Sequence, residues 1–61
     1  MKAVVNGKEM VLALSIDEVN ELLPTLGAAC YDYNLENLLS AIDDGITSSK
    51  WSFNEEEDRY E

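Results

Sequence analysis

The side chains in this chain that could do chemistry are almost all carboxylates. Asp43-Asp44 and the run Glu55-Glu56-Glu57-Asp58 could in principle supply an acid/base pair. Such a pair works when a cleft keeps one carboxyl protonated beside an ionised neighbour. A chain of 61 residues has little interior from which to build that cleft. There is no histidine, the side chain that most readily exchanges a proton near neutral pH. The expectation is therefore a protein that is not an enzyme and needs no cofactor.

Two other groupings invite a chemical reading. Cys30 is the only thiol, and a reactive thiol needs cationic neighbours to lower its pKa. None stands near it in sequence, and it falls on an apolar stripe after Leu26, so a small buried core residue is the better reading. The oxygen-bearing residues Asp32, Asn34, Glu36 and Asp43 superficially echo positions 1, 3, 5 and 12 of a calcium loop. Asn37 occupies the place of the sharp-turn glycine, and Leu38, Leu39 and Ile42 make the second half an amphipathic helix. A metal site is not expected.

The charge balance is the feature that stands above background. Thirteen Asp and Glu face only Lys2, Lys8, Lys50 and Arg59, for a net charge of −9. Most carboxylates therefore lack an intramolecular cation. Direct binding to nucleic acid or to an anionic membrane is disfavoured, because both require cationic side chains to replace displaced counterions. A protein with a basic surface is the natural partner. Asp17, Glu18 and Glu21 on one helix, Glu36, Asp43 and Asp44 on another, and Glu55, Glu56, Glu57 and Asp58 beyond them are the expected partner-binding residues. Charges three or four residues apart on a helix lie about 5 to 6 Å from one another, a spacing able to occupy successive phosphate sites on a nucleic-acid-binding protein. The plain alternative for any one helix is a solvated outer face.

These features point to a small acidic regulator or inhibitor of a larger, basic-surfaced protein, acting as a nucleic-acid mimic of the kind a virus or mobile element could use. An adaptor or homodimer module that buries apolar stripes against its partner is the alternative, and a weak carboxylate cation binder is a third. The lone cysteine fits a reducing cytoplasm, that of the host if the source is viral. The longest uninterrupted apolar stretch, Met10 to Leu14, falls far short of the roughly 20 residues needed to span a bilayer.

The elements that must position these residues are legible in the periodicity. Asn6-Gly7 between apolar runs signals a β-hairpin over residues 2 to 14. A two-residue loop at Asn6-Gly7 pairs Val5 with Lys8 and Ala3 with Met10, placing Ala3, Val5, Met10, Leu12 and Leu14 on one face, the expected core side. Ser15-Ile16-Asp17-Glu18 matches a capping box, so a helix should begin at Ile16. Its stripe is Ile16, Val19, Leu22, Leu23 and Leu26, continued by Ala29, Cys30 and Tyr33, with a kink or break at Pro24 and an end near Tyr31.

Asn34 reads as the N-cap of a second helix with Leu35, Leu38, Leu39, Ile42 and Ile46 on its apolar face, and Gly45 as its stop. Residues 49 to 53 read as a third strand beside the hairpin, with Trp51 and Phe53 in the core. The expected fold is a small single α+β domain over residues 1 to 54, followed by a frayed acidic tail at 55 to 61.

Overall fold

A computed structural model describes residues 1–61, in the order β1 (Lys2–Asn6), β2 (Glu9–Ala13), α1 (Ile16–Ala29), α2 (Glu36–Thr47), β3 (Phe53–Asn54) and β4 (Arg59–Tyr60). The small α+β domain read from the sequence is the fold observed. Its strands form two separate two-stranded sheets, β1 with β2 and β3 with β4.

The first hairpin forms with a register two residues away from the one expected. Asn6 pairs with Glu9, Val5 with Met10, Val4 with Val11 and Ala3 with Leu12. The two-residue loop is therefore Gly7-Lys8, with Gly7 at φ +66 and Lys8 not in the positive-φ region. Glycine suffices at the first central position, whereas a loop at Asn6-Gly7 would need positive φ at both residues. A shift of two preserves the faces, so Ala3, Val5, Met10 and Leu12 still share one side. That side is not core, because all ten strand residues are exposed.

Helix α1 starts where the capping box places it. The Glu18 amide donates to Ser15 Oγ at 3.2 Å and the Ser15 amide to Glu18 Oε1 at 3.0 Å. The helix is unbroken through Pro24 as far as Ala29. Asn34 ends the helical path and does not cap the next helix. It sits at φ +57, a conformation asparagine tolerates better than most residues. From there the Leu35 amide reaches back to the Cys30 carbonyl at 2.8 Å, the six-residue closure of a Schellman-type cap. Helix α2 begins after Leu35 with no side-chain cap, and Glu36 is the acidic group in its first turn. Gly45 does not stop α2, which continues to Thr47. The extra residues bring Ile46 into half-buried packing, and the Thr47 hydroxyl donates to the Asp43 carbonyl at 2.9 Å.

The expected third strand and frayed tail are replaced by a second hairpin. Phe53 pairs with Tyr60 and Asn54 with Arg59, and Ser52 and Glu61 exchange backbone hydrogen bonds of 3.0 and 2.9 Å beyond them. Asn54 Oδ1 accepts from the Glu56 and Glu57 amides at 3.0 and 3.2 Å, an Asx-type turn that tightens the acidic loop. This hairpin docks on α1 through Asn20, whose Nδ2 donates to the Tyr60 carbonyl at 2.8 Å while its Oδ1 accepts from the Tyr60 amide at 2.7 Å. The Phe53 and Tyr60 rings meet edge to face with centroids 5.0 Å apart.

Only Val19, Leu26 and Cys30 are buried, all on one stripe of α1. Trp51 is half-buried, and Phe53, expected in the core, is 47% exposed. Tyr33 likewise leaves the stripe for solvent. The Cα radius of gyration is 12.6 Å, against about 10.5 Å for a compact chain of this length. The element packing explains the excess: α1 packs backbone-close to α2 and β4, whereas the backbones of β1 and β2 lie close only to one another.

Leu26 and Leu38 test this partition. Leu26→Ala removes a buried side chain and is expected to cost about 2 to 5 kcal/mol. Leu38 is 43% exposed, so Leu38→Ala should cost less than about 1.5 kcal/mol, half or less of the burial term. Urea denaturation of both variants checks the ordering; equal losses would place α2 deeper than it lies here.

Candidate functional site

Most of the acidic residues fall into three settings. Glu18 is committed internally. Its carboxylate accepts from the Ser15 amide and sits 2.8 Å from the Met1 ammonium. Hydrogen bonding from that ammonium, and then from the Ser15 backbone, lowers its pKa from 4.5 to about 2. Asp17 is paired with Arg59 at 2.7 Å. These contacts fasten the chain start and the second hairpin to the first turn of α1. Both partners of the Asp17 pair are substantially exposed, so its value lies in registering the hairpin more than in stability.

The second setting is a polar cleft of about 490 Å³ lined by Asp17, Asn20, Glu21, Glu57 and Arg59. Here the fold brings together carboxylates from α1 and from the β3–β4 loop, with one guanidinium among them. Asp58, at φ +56, lies along an adjoining cleft with Asn20, Leu23, Pro24, Phe53 and Tyr60. The third setting is α2, whose Glu36, Asp43 and Asp44 are exposed and line none of these clefts. Glu55 and Glu56 are exposed at the turn of the second hairpin. Asp32 and Asn34 lie in the turn before α2, and no three Cys, Asp or Glu side chains converge so as to hold a metal ion.

The site that sequence reasoning missed is apolar. Met1, Leu12, Leu14, Leu22, Leu38, Ala41 and Ile42 line a groove of about 320 Å³ with no polar residue in its walls. A second groove of about 210 Å³ shares Leu12, Leu14 and Ile42 with it and continues past Val19, Ile46 and Trp51. Leu12 carries this surface onto the first hairpin, where Val4, Val5, Met10, Val11 and Leu12 are 50% to 67% exposed. Both hairpin faces are apolar, since Val4 and Val11 pair on the side opposite Val5 and Met10. The signal is present in the sequence as Val4 and Val11, apolar residues on the hairpin face opposite the expected core side.

Cys30 lines neither groove. Cys30 is 3% exposed, and its Sγ donates to the Gly27 carbonyl at 3.4 Å, as expected of a core side chain. No helix is long and apolar enough to cross a membrane.

Two outcomes follow. Because the folded Glu18 pKa lies below its unfolded value, the Glu18 contribution is present above about pH 4.5 and is lost as pH falls toward about 2. Glu18→Gln should flatten the fall in thermal stability across that window. Asn20→Ala should cost about 1 to 3 kcal/mol by leaving the Tyr60 backbone unpaired, and amide exchange at Tyr60 and Glu61 should accelerate while that at Leu26 keeps its relative protection. No protein-family model, no curated protein and no solved structure matches this chain.

Proposed function

We propose that this chain is a binding protein that acts by covering its apolar hairpin and groove with another polypeptide, and that it is not an enzyme. The observation that supports this is the amount of surface it exposes. The accessible area is 5091 Å², whereas a folded monomer of this mass exposes about 4,000 Å². The excess, roughly 1,100 Å², compares with the ~800 Å² that one partner contributes to a standard interface. An isolated two-stranded hairpin is also marginal in water, and every strand residue of β1–β2 is exposed in the single chain.

A second reading, contact with a basic-surfaced protein through the acidic residues, is favoured by charge segregation. The hairpin strands and their loop carry Lys2 and Lys8 against Glu9, a balance of +1, which leaves −10 on the rest of the chain. In that mode the polar cleft holding Asp17, Glu21 and Glu57, and the α2 carboxylates Asp43 and Asp44, would face the cationic partner as a nucleic-acid mimic. The two modes respond oppositely to salt, because exposed charge attraction is screened over about 8 to 10 Å at physiological ionic strength.

A neutral solvatochromic dye such as Nile red and an oligo-arginine peptide separate them, an anionic dye being repelled by the chain. Under the apolar reading the folded chain at low concentration should take up the dye, and 0.5 M salt or the pair Asp43→Lys and Asp44→Lys should leave uptake unchanged. Val5→Glu with Leu12→Glu should abolish it. Absence of dye uptake, together with salt-sensitive peptide binding lost on reversing Asp43 and Asp44, would transfer the function to the acidic face.

A further inference from the structure

We infer that the polypeptide covering this surface is a second copy of the same chain, with the β1–β2 hairpin of each copy lying over the groove of the other. The inference rests on the apolar-contact reading above and names its partner. Three observations carry it.

The first is charge. Two copies approaching through their helices or second hairpins would bring together surfaces that share −10 each, and like charges in apposition are costly. Of the two helices and two hairpins, only the first hairpin carries a net positive charge, +1, so it can approach the acidic body of another copy without repulsion. The groove belongs to that body: Leu22, Leu38, Ala41 and Ile42 in its wall stand on the helices bearing Glu18, Glu21, Glu36, Asp43 and Asp44. Lys8, at the hairpin tip, is the cation best placed to reach carboxylates beyond the groove.

The second is continuity. Leu12 lines the groove of its own chain and shares a hairpin face with Val5 and Met10, which are 67% and 62% exposed. The apolar surface therefore runs out of the groove along an overhanging ledge. A two-fold contact is self-complementary, so one patch must supply both the donor and the receiving surface. A ledge adjoining a groove meets that requirement: the ledge of each copy fills the groove of the other, with the two Leu12 side chains near the axis.

The third is area. The surface in excess of a compact monomer, roughly 1,100 Å² per chain, suits a symmetric pair, since each copy must lose the same area. It lies in the range of stable homodimers, which bury about 2,000 Å² or more in total.

The test combines mass, dye uptake and contacts. Sedimentation velocity of the full chain from micromolar to millimolar concentration should show a mass twice the 6.8 kDa of one chain. Dye uptake should fall as that species forms. Raising salt to 0.5 M should tighten the dimer severalfold, because it screens the residual repulsion between two chains of net charge −9. Lys8→Glu should weaken it at least tenfold at low salt. Val5→Glu should return the single-chain mass with the helical circular dichroism intact, since Val5 touches no helix. In a mixture of isotope-labelled and unlabelled chains, intermolecular NOEs should join the Val5 and Met10 methyls to those of Leu38 and Ile42.

A single-chain mass at every concentration, with dye uptake retained, overturns the second-copy inference and leaves the apolar-contact reading standing. A single-chain mass without dye uptake overturns both. A double mass with no NOEs from Val5 or Met10 to the groove overturns the proposed arrangement.

Discussion

Burial of one stripe of α1 is the constraint from which the rest of the architecture follows. Val19, Leu26 and Cys30 lie on that stripe and are the only side chains removed from water. Helix α2 packs on its neighbours, and the second hairpin is held at its flank by Asn20. With so little area excluded from solvent, hydrophobic burial at about 25 cal/mol per Å² has to be supplemented by directed polar contacts. The short Asn20–Tyr60 exchange, the capping box and the Asn54 turn supply them.

The charge distribution then restricts what the remaining surface can meet. Placing −10 on the helices and second hairpin, and +1 on the first hairpin, separates a repulsive body from a neutral or attractive arm. Apolar attraction has no direction of its own, so in the proposed pair the charges would select which apolar surfaces meet. In the proposed pair the grooves and β-face would provide the driving force, while the carboxylates would disfavour competing orientations.

What the sequence disclosed, it disclosed through local chemistry. The capping box at Ser15 and Glu18, the apolar periods of both helices and the Asn6-Gly7 signal each concern residues a few positions apart, and each corresponds to an element of the fold. The misreadings share another cause. Gly7-Lys8 displaced Asn6-Gly7 as the loop because glycine can take the strained φ alone. Asparagine serves either end of a helix, and only the Leu35 to Cys30 hydrogen bond tells that Asn34 closes one. The acidic run at 55 to 58 has the composition of a loose end, and nothing in it reveals that Asn20, about forty residues earlier, reaches the backbone of Tyr60. The groove stayed hidden for the same reason: periodicity shows that a face is apolar, not whether the chain is long enough to cover it.

The first hairpin also leaves both of its long edges bare. Each offers a row of unsatisfied backbone donors and acceptors that a further strand could join, and the valine-rich segments on either side of Gly7 have the composition that such ribbons recruit. Strand-by-strand growth spaces successive chains about 4.8 Å apart, far closer than bodies so strongly anionic can be stacked. Like-charge repulsion between the bodies therefore opposes growth of such a ribbon from the exposed edges.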